Sequence, residues 1–158
     1  MIEVSERIEV QAAPRTVWEL LSDPRAVVEC VEGAELGERH EDGSYDAKMV
    51  VKFGPARVSF KTRFTLELDD AAMSGRVESR GKDSQGGTRV KTSMTFKVME
   101  GGAPGTAAIP IDAQVEISGK LASLVETGAN IVVKRMTVDF TEKLAARVGG
   151  TAVASDKG

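Results

Sequence analysis

Between residues 44 and 118 the chain runs as a series of alternating stretches in which one parity carries almost no charge. Tyr45, Ala47, Met49, Val51 and Phe53 share one side, and Val58, Phe60, Thr62, Phe64 and Leu66 share one side of the next stretch. Val90, Thr92, Met94, Phe96 and Val98 repeat the pattern, as do Ile111, Ala113, Val115 and Ile117. The opposite parity holds Arg57, Lys61, Arg63 and Glu67, then Arg89, Lys91 and Lys97. Successive side chains of a strand point to opposite faces, so the pattern predicts a sheet with one apolar and one charged face. A sheet of that kind must lay its apolar face against another large element.

Strands are predicted at 34–40, 44–53, 56–68, 73–82, 88–99 and 106–118, divided by "EDG", "GP", "LDDA", "SQGG" and "GGAPG". Connections that short join antiparallel neighbours. Met1 to Gln11 alternates as a further strand. Pro14 then opens a short helix that offers Val17, Trp18, Leu20 and Leu21 to a core. Pro24 ends it at Asp23 and opens a second short helix through about Val31. The covering element is the proline-free segment from about Gly119 to Val148. Roughly 28 residues at about 1.5 Å each make a helix near 42 Å long.

Along that helix Leu121, Val125, Gly128 and Val132 line up, and Met136, Phe140, Leu144 and Val148 continue at steps that creep round an ideal helix. Asp139 and Lys143 fall where the first half was apolar, so either the helix bends or its last turns pack on something other than the sheet. The fold class expected is α+β: an antiparallel sheet of about seven strands curled round a long C-terminal helix, with two short helices after the first strand. A single domain over residues 1–148 and a flexible tail over 149–158 complete the expectation.

With 158 residues and 41% hydrophobic content, the chain suits one well-buried core. Its net charge of −3 comes from interleaved acids and bases, leaving no basic domain to neutralise a row of phosphates, and nucleic acid is not expected as a partner. A lone cysteine makes no internal disulfide, and "MIEVSERIEV" lacks the unbroken apolar stretch of a signal peptide, which predicts a cytoplasmic protein. The apolar run "ANIVV" stops at Lys134 and Arg135, so any membrane contact is expected to be peripheral.

The single cysteine, Cys30, sits in "DPRAVVECVEGAEL", upstream of the single histidine, His40. A nucleophilic thiolate needs an activating base, and His40 is predicted at the end of a surface strand beside the "EDG" turn. A zinc site would have to be completed by carboxylates in a segment that reads as helical and apolar toward the core. No catalytic residue and no metal site are therefore expected. Cys30 is predicted to seal one end of the fold as a small buried residue with Val27, Val28 and Val31.

"VWELLSDPRAVVECVEGAEL" resembles the signature of the carbon monoxide dehydrogenase G-subunit family, in which a tryptophan helix is followed by Asp-Pro, a cysteine and a glycine near the second strand. "EDGSYDAKMVVKFGPARVSFKTRFTLEL" is similar to that family's hairpin, with its Asp-Gly turn, tyrosine, and Gly-Pro before a long strand carrying a phenylalanine. "SGKLASLVETGANIVVKRMTVDF" resembles the start of its C-terminal helix. The likeness covers residues 1 to 148 or so. It departs at Val31-Glu32-Gly33, where the family usually has a proline, and at "LASLVETG", where the family has a shorter, glycine-containing stretch. The resemblance implies a START-like, helix-grip fold. Many relatives continue into a membrane-binding segment, whereas this sequence ends in "GGTAVASDKG", so either this member lacks an anchor or the sequence is trimmed.

Residues alone leave two readings of the space between sheet and helix. Large inner side chains are interspersed with Ala47, Gly75, Ser79, Ala113 and Gly128, which leaves either a hollow or an interior filled by its neighbours. The resemblance implies a hollow, because helix-grip proteins commonly bind an apolar molecule there and members of this family resemble quinone carriers. It implies a non-catalytic carrier of a quinone (menaquinone or ubiquinone) or other lipid, with no intrinsic cofactor, serving a molybdenum hydroxylase of the carbon monoxide dehydrogenase type at the inner face of the cell membrane. An assembly or membrane-recruitment adaptor is the alternative, and a cyclase or hydrolase a third reading. Expected to hydrogen-bond a ring oxygen are Tyr45, Thr62, Ser79 or Thr92. Aromatic Phe53, Phe60, Phe64 and Phe96 suit a flat ring. Met49, Met94, Leu121 and Leu124, with Val125, Gly128 and Val132, complete the expected lining.

Overall fold

A computed structural model describes residues 2–149, so the expected tail falls outside the described residues from 150 onward. Strand β1 (Ile2–Val10) is followed by helices α1 (Pro14–Leu21) and α2 (Pro24–Glu29). Strands β2 (Ala34–Arg39), β3 (Tyr45–Phe53), β4 (Ala56–Asp69), β5 (Ser74–Asp83) and β6 (Thr88–Lys97) come next. A two-residue β7 (Met99–Glu100), β8 (Ala107–Gly119) and the long helix α3 (Ala122–Arg147) finish the chain. The sheet order is β1-β8-β6-β5-β4-β3-β2, with β7 on β8, and every pairing is antiparallel. Strands β2 to β6 form the expected meander. β1 joins at the far edge against β8, so α1 and α2 carry the chain from one edge of the sheet to the other.

Two expected boundaries move, each for a local reason. The strand expected over 88–99 breaks because the N–H of Val98 donates to the carbonyl of Met73, 2.8 Å away, instead of to a neighbouring strand. Helix α3 begins at Ala122 and not at Gly119. Gly119 has φ +108, and a Cβ there would collide with the Gly87 carbonyl oxygen. The N–H of Lys120 donates to that carbonyl at 2.9 Å, and the N–H of Leu121 donates to Thr88 Oγ1 at 2.8 Å. The chain stays tied to the β5–β6 turn for those residues and only then winds into a helix.

Side chains from the sheet and α3 meet in two separate clusters. One gathers Phe53, Val58 and Phe60 from the sheet with Val125 and Val132 from the first half of α3. The other gathers Ile8, Val10, Val98, Ala107 and Ile109 with Val17, Trp18 and Leu21 of α1 and with Leu144 and Ala145 from the last turns of α3. The drift of the apolar stripe thus has a structural outcome: the end of the helix packs on α1 as well as on the sheet. Asp139 and Lys143 are left to pair with each other at 3.0 Å. Trp18 anchors the second cluster. It is 1% exposed, and its Nε1 donates to Asp70 Oδ1 at 2.7 Å, tying α1 to the β4–β5 turn.

Candidate ligand site beneath the long helix

The register sets one inner-face row after another across the sheet. Tyr45 lies opposite Phe64, Phe64 opposite Ser79, Ser79 opposite Thr92, Thr92 opposite Val115, and Val115 opposite Ile2. The adjacent row runs Leu66, Val77, Met94, Ala113, Val4. These two rows belong to neither cluster, and every member except Ala113 is only half-buried. A band of inner face thus lies between two sealed ends, under the middle of α3.

Chemically, the band combines a platform with hydrogen-bonding groups. Tyr45 and Phe64 stack with centroids 5.3 Å apart and planes at 17°, and the Arg39 guanidinium lies 5.7 Å from the Tyr45 centroid. One row outside the band, Thr62 donates to the Ala47 carbonyl at 3.2 Å, which leaves its oxygen able to accept. Among the described residues the hydroxyls of Tyr45, Ser79 and Thr92 have no protein partner, and no buried side-chain polar atom is unsatisfied. These hydroxyls are therefore open, either to water or to a guest.

The expected lining residues divide accordingly. Tyr45, Met49, Thr62, Phe64, Thr92 and Met94 lie half-buried on the inner face outside both clusters. Phe53, Phe60, Val125 and Val132 are buried core of the first cluster, with Leu121 packed against it. Gly128 lets α3 come down on the sheet: a Cβ there would sit 3.0 Å from Phe53 Cδ1. Phe96 lies 6.2 Å from Trp18, centroid to centroid, and packs on the second cluster. Leu124 is 36% exposed, on the same flank of α3 as Ile131 and Val138, which are 71% and 59% exposed.

Sequence reasoning passed over Glu6. It shares the parity of Ile2, Val4, Ile8 and Val10, is half-buried, and lies opposite Ile111. That shared parity was the available signal. It also passed over Asp83, on the inner parity opposite Phe60, whose Oδ1 accepts from the N–H of Gln85 at 2.9 Å and of Gly87 at 3.1 Å. Burial works to raise the Asp83 pKa, but hydrogen bonds from Thr88 and from the backbone N–H groups of the turn outweigh it and hold the carboxyl below its ordinary value. Asp83 closes the β5–β6 turn with these bonds.

Cys30 is fully buried, and burial pushes its thiol above the ordinary value against the opposing pull of Arg147 and Lys143. His40 pairs with Asp46, Nε2 to Oδ1, at 2.9 Å. Glu38, His40 and Asp46 offer three ligand atoms within 4.8 Å of one another, the one grouping of its kind among the described residues. Arg63 reaches into the same hairpin, its Nε donating to Ser44 Oγ at 2.9 Å, and this fixed positive charge disfavours a metal cation there. Two surface grooves, of about 470 and 1040 Å³, are lined chiefly by residues of the outer parity, on the face of the sheet opposite the band.

A curled antiparallel sheet gripping a long C-terminal helix, with two short helices after the first strand, defines a START-like helix-grip protein. The model of one family, the carbon monoxide dehydrogenase G subunit (CoxG), matches residues 7–149. The chain belongs to that family. No curated protein matches it. Among solved structures it is similar to a conserved protein from Geobacillus kaustophilus, with a TM-score of 0.79 and 17% identity over 94% of this chain and 95% of that one. The Zhui aromatase/cyclase from Streptomyces sp. R1128 gives a TM-score of 0.61 at 16% identity, covering 94% and 93% of the two chains. A START superfamily protein from Mycobacterium smegmatis gives 0.58 at 18%, covering 93% and 97%. At such identities these likenesses establish the fold.

Proposed function

We propose that the protein is a non-catalytic carrier of a quinone or similar polar-headed lipid, held in the band beneath α3 and delivered to or from a molybdenum hydroxylase of the carbon monoxide dehydrogenase type. The observation that carries this reading is the half-buried row Tyr45–Phe64–Ser79–Thr92, which sets a stacked aromatic pair beside hydroxyls that have no protein partner. An isoprenoid tail laid along Leu66, Val77 and Met94 gains about 0.8 kcal/mol per buried methylene, so a few isoprene units offset the loss of bilayer contacts. The hydroxyls then fix the ring oxygens, and the aromatic pair accepts the flat ring. The family membership supports the dehydrogenase as the enzyme served.

Turnover has no place in this reading. A cyclase or hydrolase needs an acid and a base converging on the guest. The inner face offers the band hydroxyls, Glu6 on the edge strand β1, and an Asp83 already engaged in its turn. No helix among the described residues is long and apolar enough to cross a membrane, which suits a carrier that meets the cytoplasmic membrane face peripherally. The test is organic extraction of the purified protein followed by mass spectrometry, with menaquinone added to a delipidated sample as the second arm. A quinone or lipid recovered unaltered in stoichiometric amount is the expected result. Failure of both arms, or recovery of a chemically converted guest, overturns the proposal.

A further inference from the structure

The outer face of the sheet carries an arrangement that solvation alone does not explain. Across four strands the register places Lys48 opposite Lys61, Lys61 opposite Lys82, and Lys82 opposite Arg89. One row over, Arg63 lies opposite Arg80 and Arg80 opposite Lys91. All are exposed, and among the described residues none has a carboxylate within ion-pair distance. Like charges directly opposite on neighbouring strands destabilise a sheet. The same face supplies its own control at the other end. There Glu67 lies opposite Arg76, Arg76 pairs with Glu78 at 2.9 Å, and Ser93 donates to Glu78 at 2.6 Å. The groove at that end mixes signs, with Glu67, Asp69 and Asp112 beside Arg76 and Lys97.

From this contrast we infer that the two cationic rows are a docking face for an acidic protein surface. The rows border a groove of about 1040 Å³ whose floor is the backbone between them. Carboxylates close the rows at their ends: Glu35 opposite Lys48, Asp46 opposite Arg63, and Glu116 opposite Lys91. A flat anionic bilayer would be repelled by these flanks and would not enter the groove, and the rows contain no large apolar side chain to insert in it. Duplex nucleic acid presents phosphates over a longer run than the roughly 14 Å that four strands span. A protein partner can match the central cations with carboxylates and the flanking acids with bases. This inference does not rest on the carrier reading and stands or falls apart from it.

The test uses the full chain with poly-L-glutamate as the probe, and phosphatidylglycerol vesicles and duplex DNA as the competing arms, at physiological ionic strength. The double variant Lys61→Glu/Arg89→Glu turns the first row into alternating signs. It is expected to weaken polyglutamate binding by about tenfold or more and to raise Tm by about 2–4 °C as repulsion becomes attraction. Lys97→Glu/Lys134→Glu makes the same change in net charge elsewhere and is expected to leave binding as it is. No binding of polyglutamate, binding to vesicles or DNA in preference to it, equal losses in both double variants, or a lower Tm in the first would each overturn the inference.

Discussion

Trp18 ties four elements and a turn together through one side chain, because its ring fills the cluster shared by α1, β1, β8 and the end of α3 while its Nε1 reaches Asp70 in the β4–β5 turn. Trp18→Ala is expected to cost about 3–5 kcal/mol, and Trp18→Phe less, since it keeps most of the packing and loses the hydrogen bond. Chemical denaturation of the two variants checks the order. Asp83 provides the pH counterpart. Its folded pKa lies below its unfolded one, so its stabilising contribution is complete above the ordinary value of 3.8 and is lost as pH falls through the depressed value. The Tm gap between wild type and Asp83→Asn is therefore expected to keep its full width from neutrality down toward 3.8 and to close only as pH falls further, through the depressed value. Cys30 had a legible role, since neither a base nor a ligand set accompanied it in the sequence. Its buried, protonated thiol is expected to resist alkylation until the protein unfolds.

Elements were legible wherever a period was. The two-residue alternation of β3, β4, β6 and β8 identified the apolar face because a strand has no other way to present those side chains. Where α3 touches that face was not legible. It depends on Gly128 admitting the Phe53 ring beneath the helix and on the stripe creeping toward α1, and neither is a property of a single turn. Hence four of the fourteen expected lining residues, Tyr45, Phe64, Thr92 and Met94, lie in the open band, Met49 and Thr62 lie half-buried just outside it, and Phe53, Phe60, Val125 and Val132 fill the seal beside it. At Gly128 two effects compete. Alanine gains about 1 kcal/mol of helix propensity and spends it against Phe53 Cδ1 at 3.0 Å. Gly128→Ala is expected to be near neutral and Gly128→Leu to lose about 1–3 kcal/mol by overpacking, as read from denaturation midpoints.

At the scale of the whole molecule, one sheet presents two opposite chemistries, and the backbone alternation that separates them also makes them independent. The apolar parity of the inner face was readable in advance, but which part of that face α3 leaves open was not. The cationic rows are a property of register: Lys48, Arg80 and Lys82 join Lys61, Arg63, Arg89 and Lys91 only once the turns have set which residues face each other. Independence has a direct test. Ser79 lies between Phe64 and Thr92 in the band, and Ser79→Phe places a ring where the guest is proposed to lie. That variant is expected to yield no extractable quinone or lipid while binding polyglutamate as wild type does. Lys61→Glu/Arg89→Glu is expected to do the reverse. Full guest occupancy in Ser79→Phe would move the seat away from the band. Loss of both activities in either variant would mean that the faces communicate through the sheet, which the antiparallel pairing of β4, β5 and β6 beneath both substituted sites gives no reason to expect.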